Sequence, residues 1–513
     1  MPSAASASDN ASYGQIVVRN TIYLTVAQAL TIPLTILING VAAHFLGAEA
    51  FGYAYFASTL CAFGFLAVTW GHEAVLPSVI AKDHSVAGEM LGSSLAWRTV
   101  LSVVIYLCLA LACHLLGYPA EMQWALGLSA LMYTVNSMVA AYKDTIRGLE
   151  RTDIPAYAHV AQQVIATILV CVVLFAGGKL NAVLFVQAIA GAIILGAIVR
   201  SLRTVGVSRI SVRWSALKVL TVGGVPFLAL GFAMTLQPSI DALYLSKMAP
   251  VEVMGWFGVT RRLVGALLLP ATALLGALYP TLCRLHVTDM DGFRGATRGA
   301  LRSVSIVVAP VALGCALFPD IGVALFSRTA FRPAEDNLRV ISVFVALVYF
   351  SMPLGICIMA AGRQRAWSVV QCLCVVTALV LDPLLIPIFQ NSYGNGGLGL
   401  CVAAGVSEAI MIGFGLALAP RGIFDRGFGR QLLVVGVSGA AMAVVGLLAL
   451  PWSSYVAAPL ALVAYAVALW LTGGIDANQL SAVGFALRRR SPSAGLRSAD
   501  TDEHTCSTLA PVP

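Results

Sequence analysis

The segment Glu49-Ala50-Phe51-Gly52-Tyr53 separates two long apolar runs, and 203 residues later Glu252-Val253-Met254-Gly255-Trp256 separates two more. At the same offset Leu76-Pro77-Ser78 meets Tyr279-Pro280-Thr281. Further on, Gly148-Leu149-Glu150-Arg151 meets Gly362-Arg363-Gln364-Arg365 at an offset of 214, and the extra 11 residues fit a longer outer loop around Arg328 to Asn337. Three matches in the same order read as one internal repeat. Six apolar spans separate the copies. An even number makes both halves run in the same direction, related by an axis along the membrane normal.

Outward from these segments, 14 apolar runs span about 21–44, 53–80, 93–116, 122–142, 155–177, 181–202, 219–246, 252–282, 299–318, 338–361, 367–389, 397–418, 431–450 and 454–473. A helix needs about 20 apolar residues to cross a bilayer, whereas outer-membrane strands alternate over about 10. The composition agrees: of 513 residues, 59% are hydrophobic and 11% charged, and the mean hydropathy is +0.88. Soluble proteins carry about 25% charged residues. A typical soluble enzyme, a disordered chain and a disulfide scaffold are excluded. The expected fold is an all-α polytopic membrane protein of about 14 transmembrane helices, with two parallel-repeat six-helix lobes and two extra C-terminal helices. The expected divisions are a cytoplasmic segment (1–20), an N-lobe (21–214), a C-lobe (215–420), the last two spans (421–474) and a disordered cytoplasmic tail (475–513).

Charge sets the orientation. With the N-terminus in the cytoplasm, 23 of the 31 Lys and Arg fall on the inner side, 5 on the outer side (Lys179, Lys247, Arg328, Arg332 and Arg339) and 3 inside spans. This is the bias of cytoplasmic loops, and it explains the net charge of +8 without nucleic acid. Trp124, Trp214, Trp367 and Trp452 fall near span ends, as an aromatic belt requires. The polar start of the chain lacks a basic n-region, so the first run reads as an uncleaved anchor.

Catalytic and cofactor motifs do not emerge. Most of the 11 cysteines lie inside apolar runs, and Cys372 and Cys374 have no nearby Cys/His pair to complete a zinc site. The seven histidines form no ligand-spaced pair, and His72 and His159 read as core residues. Gly394-Asn395-Gly396-Gly397-Leu398-Gly399 matches G-x-G-x-x-G, but it precedes a membrane helix with no strand before it. No nucleotide phosphate loop is present. The expectation is a transporter with no cofactor and no metal, driven by an ion gradient, the substrate gradient or the membrane potential, which is worth about 2.3 kcal/mol per charge per 100 mV.

The segment Phe45-Leu46-Gly47 through Phe51-Gly52-Tyr53 resembles the "LG…FG.Y" signature of polysaccharide and oligosaccharide flippases, the Wzx-type members of the multidrug/oligosaccharidyl-lipid/polysaccharide exporter superfamily. Pro226, Asp241, Gly255-Trp256, Pro280, Gly362 and Arg365 in the second half are similar to the same family, and the likeness covers roughly residues 20–420. The resemblance implies a V-shaped pair of lobes around a cavity open to one side at a time. It implies a polyprenyl-diphosphate-linked oligosaccharide as substrate, turned across the bacterial inner membrane for exopolysaccharide, capsule or O-antigen synthesis. A polysaccharide polymerase and a chain-length regulator are then expected partners, besides membrane lipid.

Ionisable residues inside spans are functional candidates because they are expensive there. Arg261, Arg262 and Arg98 suit diphosphate recognition, since guanidinium forks bind oxyanions in two places at once. The bland alternatives are helix-to-helix ion pairs: Arg261 or Arg262 with Glu408, Asp241 or Asp382, and Arg98 with Glu73. Neighbours in sequence differ by about 100° around a helix, so at most one of Arg261 and Arg262 is expected to face the cavity. Asp241, Asp382, Glu408 and Glu73 are candidates for coupling or gating, or for interhelical bonding. Asn20, Gln28, Asn39 and Gln237 could bind sugar hydroxyls or hold helices together. Pro33, Pro226, Pro238, Pro270 and Pro280 are expected kink points. Competing readings are a cation-coupled multidrug exporter, which favours an acidic cavity, and a peptidoglycan lipid precursor flippase, which needs arginines in the first two spans. A membrane polymerase or ligase would need a larger outer loop.

Overall fold

In the computed structural model, which describes residues 4–207, 209–326 and 329–474, all regular structure among those residues is helical. The helices are α1 (Ala4–Thr69), α2 (His72–Ile80), α3 (Ala87–Leu115), α4 (Ala120–Gly148), α5 (Asp153–Phe175), α6 (Leu180–Thr204), α7 (Trp214–Met248) and α8 (Val251–Thr288). They continue as α9 (Met290–Leu317), α10 (Pro319–Ala324), α11 (Pro333–Ala360), α12 (Gln364–Tyr393), α13 (Gly397–Leu418), α14 (Arg426–Ala449) and α15 (Ser454–Leu471). Each apolar run of the sequence falls on helix. By length and composition, 12 stretches among the described residues can cross a membrane. One of them, Leu30–Ile80, takes in the first two runs over 51 residues, and α7 contributes a shorter apolar stretch, Trp214–Ala229. The tail from residue 475 and the side chains of Asn20 and Gln28 lie outside the described residues.

Two breaks divide the first long stretch. Gly47 takes φ 77° and ψ 178°, a conformation open to glycine and barred to residues with a Cβ. It ends one crossing and starts the next. A second break falls at Trp70 and Gly71, both at positive φ (48° and 68°). Elsewhere helix ends follow the usual chemistry. Asp289, Asp425 and Ser453 accept hydrogen bonds from backbone N–H groups of the first turns of α9, α14 and α15. Prolines open α10 and α11.

The repeat is visible in the connections. Residues 116–119 join α3 to α4, whereas 318–332, including α10, join α9 to α11. The difference is the 11 residues by which the offset grows. In the first half α4 packs on α6, α1 on α5, and α3 on α4. In the second, α11 packs on α13, α9 and α8, and α12 on α13. The halves meet where α1 packs on α8 and α7, and where α7 also touches α2 and α3. The last two helices, α14 and α15, pack on each other and on α9.

At the seam the repeat becomes a pseudo-twofold contact. A Cβ on Gly52 would lie 2.3 Å from the carbonyl oxygen of Val251, and one on Gly255 would lie 2.1 Å from that of Ala48. Ala48 and Val251 are themselves repeat partners, as are Gly52 and Gly255. Each half presents the same glycine to the same carbonyl of the other, as a two-fold contact requires. The glycines are needed because backbones meet there with no room for a side chain. Trp367 departs from the expected belt. It is buried in a groove against Gly355, where an added Cβ would lie 2.7 Å from its ring. Trp124, Trp214 and Trp452 are exposed.

Candidate functional site

Beneath this glycine seam lies a central cavity of about 310 Å³. From α1 it receives Tyr55, Ser58, Thr59 and Ala62, spaced as one face of a helix. From α7 it receives Thr235, Pro238 and Ser239, again one face, with Tyr133 from α4 and both Arg261 and Arg262 from α8. Among the described residues the lining contains two guanidiniums and no carboxylate. The hydroxyls of Thr59, Thr235 and Ser239 donate to carbonyls of their own helices, at 2.8, 2.9 and 2.7 Å. Their remaining lone pairs make them acceptors toward a ligand. Donors come from the arginines. Toward the glycine seam the site is flanked by Phe51, edge-to-face on Phe326 and Phe331, and by Tyr55 on Phe257.

Both arginines reach the cavity, contrary to the expectation that only one would. The two positions are separated by about 100° around the helix, yet both side chains border the same space. Their side chains diverge. Arg262 donates to Oδ1 of Asn39 and lies over the Phe51 ring, 5.2 Å from its centroid. It also lines a second, more enclosed cavity of about 210 Å³ with Thr35, Asn39, Gln163 and Gln187 of the first half. Arg261 turns the other way, over Phe257 at 6.0 Å and within electrostatic reach of Asp241. Asn39 is held in turn by its own bond to the Thr35 carbonyl at 2.7 Å.

The remaining candidates are placed apart from the lining. Asp241 on α7 and Asp382 on α12 are both buried and lie within electrostatic reach of each other. The Oδ2 atom of Asp382 has no hydrogen-bond partner. Gln237 is half-buried one turn before Asp241. Glu408 on α13 is buried and accepts from the Ser351 hydroxyl of α11, so neither arginine is its partner.

Arg98 does not pair with Glu73, which is exposed at the start of α2. It is wholly buried between α3 and α4, donates to the Ser137 carbonyl, and faces Asp144 at 3.8 Å. Asp144 also meets Arg147 at 3.5 Å. Asp144 was missed in the sequence because it lies at the end of an apolar run among loop-like charges, where burial leaves no signature. His72 sits nearby with its Nδ1 bonded to the Ser94 hydroxyl at 3.0 Å, as a core histidine. The described cysteines form no disulfide, and no three His, Cys, Asp or Glu among the described residues could hold a metal ion.

Comparison with known proteins adds the relationship. The family described as polysaccharide biosynthesis protein matches residues 17–286. No curated protein matches the sequence. Among solved structures, the chain is similar to the lipid II flippase MurJ in an inward closed conformation, at TM-score 0.68 and 12% identity, over 91% of this chain and 100% of that one. It is also similar to an inward-facing multidrug resistance MATE family transporter of the MOP superfamily, at TM-score 0.62 and 15% identity, over 78% and 97%. A third is a MOP superfamily transporter from Pyrococcus furiosus, described by the reverse polarity of its binding pocket, at TM-score 0.53 and 15% identity, over 78% and 95%. The fold is that of MOP superfamily transporters.

Proposed function

The chain belongs to the polysaccharide biosynthesis protein family, and from that premise we propose that it flips polyprenyl-diphosphate-linked oligosaccharide repeat units across the bacterial inner membrane by alternating access. One observation carries the reading: among the described residues the central cavity is lined by Arg261, Arg262, hydroxyls and tyrosines, with no carboxylate. A sugar diphosphate offers anionic oxygens to the guanidiniums and hydroxyls to Thr59, Thr235 and Ser239. Such a headgroup cannot cross about 30 Å of hydrocarbon alone, because its charges and hydroxyls would lose their water. The cavity replaces that water while the lipid tail stays in the bilayer. Arg262 reaches Asn39 and Phe51 of the opposite half, so a diphosphate that draws it away loosens an inter-half tie at the same moment.

The neighbouring buried carboxyls of Asp241 and Asp382, close to Arg261, supply the coupling element, and Glu408 holds α13 to α11. Arg98 and Glu73, set apart from the lining, act on the first half's packing. The multidrug exporter reading fits this lining poorly, because organic cations need carboxylates. A reversed pocket polarity also distinguishes the MOP transporter from Pyrococcus furiosus. The peptidoglycan precursor shares the diphosphate, so the test must separate the two lipids. In a deletion strain, surface polysaccharide is expected to disappear and repeat units to accumulate on the inner leaflet. Arg262→Ala, expressed at normal level, is expected to leave that defect uncorrected. Normal polymer with stranded peptidoglycan precursor would replace the substrate, and new sensitivity to cationic drugs would replace the reading.

A further inference from the structure

The repeat produces two cavities at the outer end, one per half, each of about 710 Å³. They use matching positions: Tyr53 and Trp256, Lys179 and Tyr393, Asn181 and Asn395. Their charges are opposite. The first-half cavity carries Glu49 and Glu121 beside Lys179. The second-half cavity carries Arg332 and Arg339 with Asp336. Outer loops of this chain are poor in basic residues, holding 5 of 31, and two of those five meet at this one rim. The charge bias that empties outer loops of Lys and Arg works against that placement.

The second-half cavity is also shaped for a ring. Phe389 and Tyr393 stack at 5.7 Å with 26° between their planes, and Tyr393 is largely exposed. Trp256 stands opposite, its indole N–H fixed on the Ala330 carbonyl at 3.0 Å. Beneath, buried Asn395 donates to Asn337 and to the Pro333 carbonyl and accepts from the Gly397 N–H, tying α11 to α13 as a rigid floor. Arg339 is half-exposed and paired with Asp336 at 2.7 Å and, more loosely, with Glu335 at 3.8 Å. Arg332 is exposed, within electrostatic reach of Glu335, and its backbone carbonyl accepts from the Glu335 N–H at 3.0 Å. Aromatic faces accept the C–H face of a sugar, and a guanidinium accepts a carboxylate in two places.

We propose that this outer cavity of the second half binds an acidic saccharide, a sugar ring bearing a carboxylate, and receives the headgroup on the far side of the membrane. The inference rests on the flippase reading and narrows its substrate class. Arg332 and Arg339 hold the carboxylate, while Tyr393 and Trp256 hold the ring. The first-half cavity, with its carboxylates, repels the same ligand and serves as an internal control.

The test uses the full chain in phosphatidylcholine nanodiscs, titrated calorimetrically with a glucuronate-containing tetrasaccharide and with its carboxyl-reduced form. The acidic form is expected to bind about ten-fold more tightly, the worth of one charge-assisted hydrogen bond. Arg332→Gln with Arg339→Gln should erase that preference, Tyr393→Ala should weaken both ligands, and Glu49→Gln with Glu121→Gln should weaken neither. Equal binding of the two saccharides, or a preference that survives the double arginine variant, overturns the proposal. So does loss of saccharide binding when phosphatidylglycerol is added to the nanodiscs, which would make the cavity a lipid headgroup site. The two readings fail separately, since the flippase reading stands or falls on stranded repeat units in the deletion strain.

Discussion

The two halves of the chain share a backbone plan and differ in where they place charge. At the seam they are equivalent, with Gly52 and Gly255 each against the other half's carbonyl. Around the central cavity they are not. Arg261 and Arg262 occupy the positions of Ser58 and Thr59, and all four line the same space. Asp241, Asp382 and Glu408 replace Ile38, Ile168 and Ile194. In the opposite sense, the buried Arg98 and Asp144 of the first half correspond to Leu301 and Ile358, both buried and apolar. The same packing position thus tolerates either an ion pair or two aliphatics. The symmetric features maintain the fold, and the charges confined to one half are candidates for function.

The helix course differs too. The second crossing breaks at Trp70-Gly71 and docks on α7, where Trp70 donates to the Thr221 carbonyl at 3.0 Å and its own carbonyl approaches Gly224. Its counterpart α8 runs unbroken through the equivalent residues. Side chains added at Gly265 or Gly276 of α8 would meet nothing within 4 Å.

The comparison breaks most sharply at the seam. Gly52→Val and Gly255→Val are each expected to abolish complementation of surface polymer, because backbone carbonyls cannot yield to a side chain at that distance. Overpacking of this kind costs about 1–3 kcal/mol or more. Equal loss in the two variants supports the two-fold contact, and an effect of only one would refute it. Next comes the buried pair. Arg98→Leu alone and Asp144→Ile alone should each cost about 3–5 kcal/mol, since each strands a buried charge. The double variant, which copies the second half, should recover most of that in thermal unfolding of the detergent-solubilised protein. Non-recovery would show that the two positions are not equivalent.

Smaller effects sharpen the functional asymmetry. Asp382→Asn should leave folding intact and make reconstituted transport indifferent to an imposed pH gradient. Retained dependence would move coupling elsewhere. Smallest is the cap of α14, which has no counterpart in the repeat. Arg298, at 2.8 Å, and the Phe428 N–H hold the half-buried Asp425 carboxyl below its usual range. A folded-state pKa below the unfolded one gives stability that is present above the unfolded value and is lost as pH falls through the folded value. Asp425→Ala should therefore lower Tm slightly at neutral pH and make no difference in strong acid. A drop of equal size at both pH values would dismiss the ion pair.

The helical membrane class, the repeat and the site of the 11-residue insertion were all legible in the sequence. Run length reports bilayer thickness, and a repeat reports itself at a fixed offset. The family resemblance rested on the same Gly52 and Gly255 segments that form the seam. Candidate residues were legible as a type, because a charge inside an apolar run is rare and stands out. Their partners were not. Tertiary structure gave Arg98 to Asp144 instead of Glu73, set Asp241 near Asp382, tied Arg262 to Asn39, and buried Trp367 beneath Gly355. Hydropathy fixes which residues lie in the membrane, but the rotation of each helix about its axis is set by contacts with its neighbours, over distances in sequence that no local pattern records.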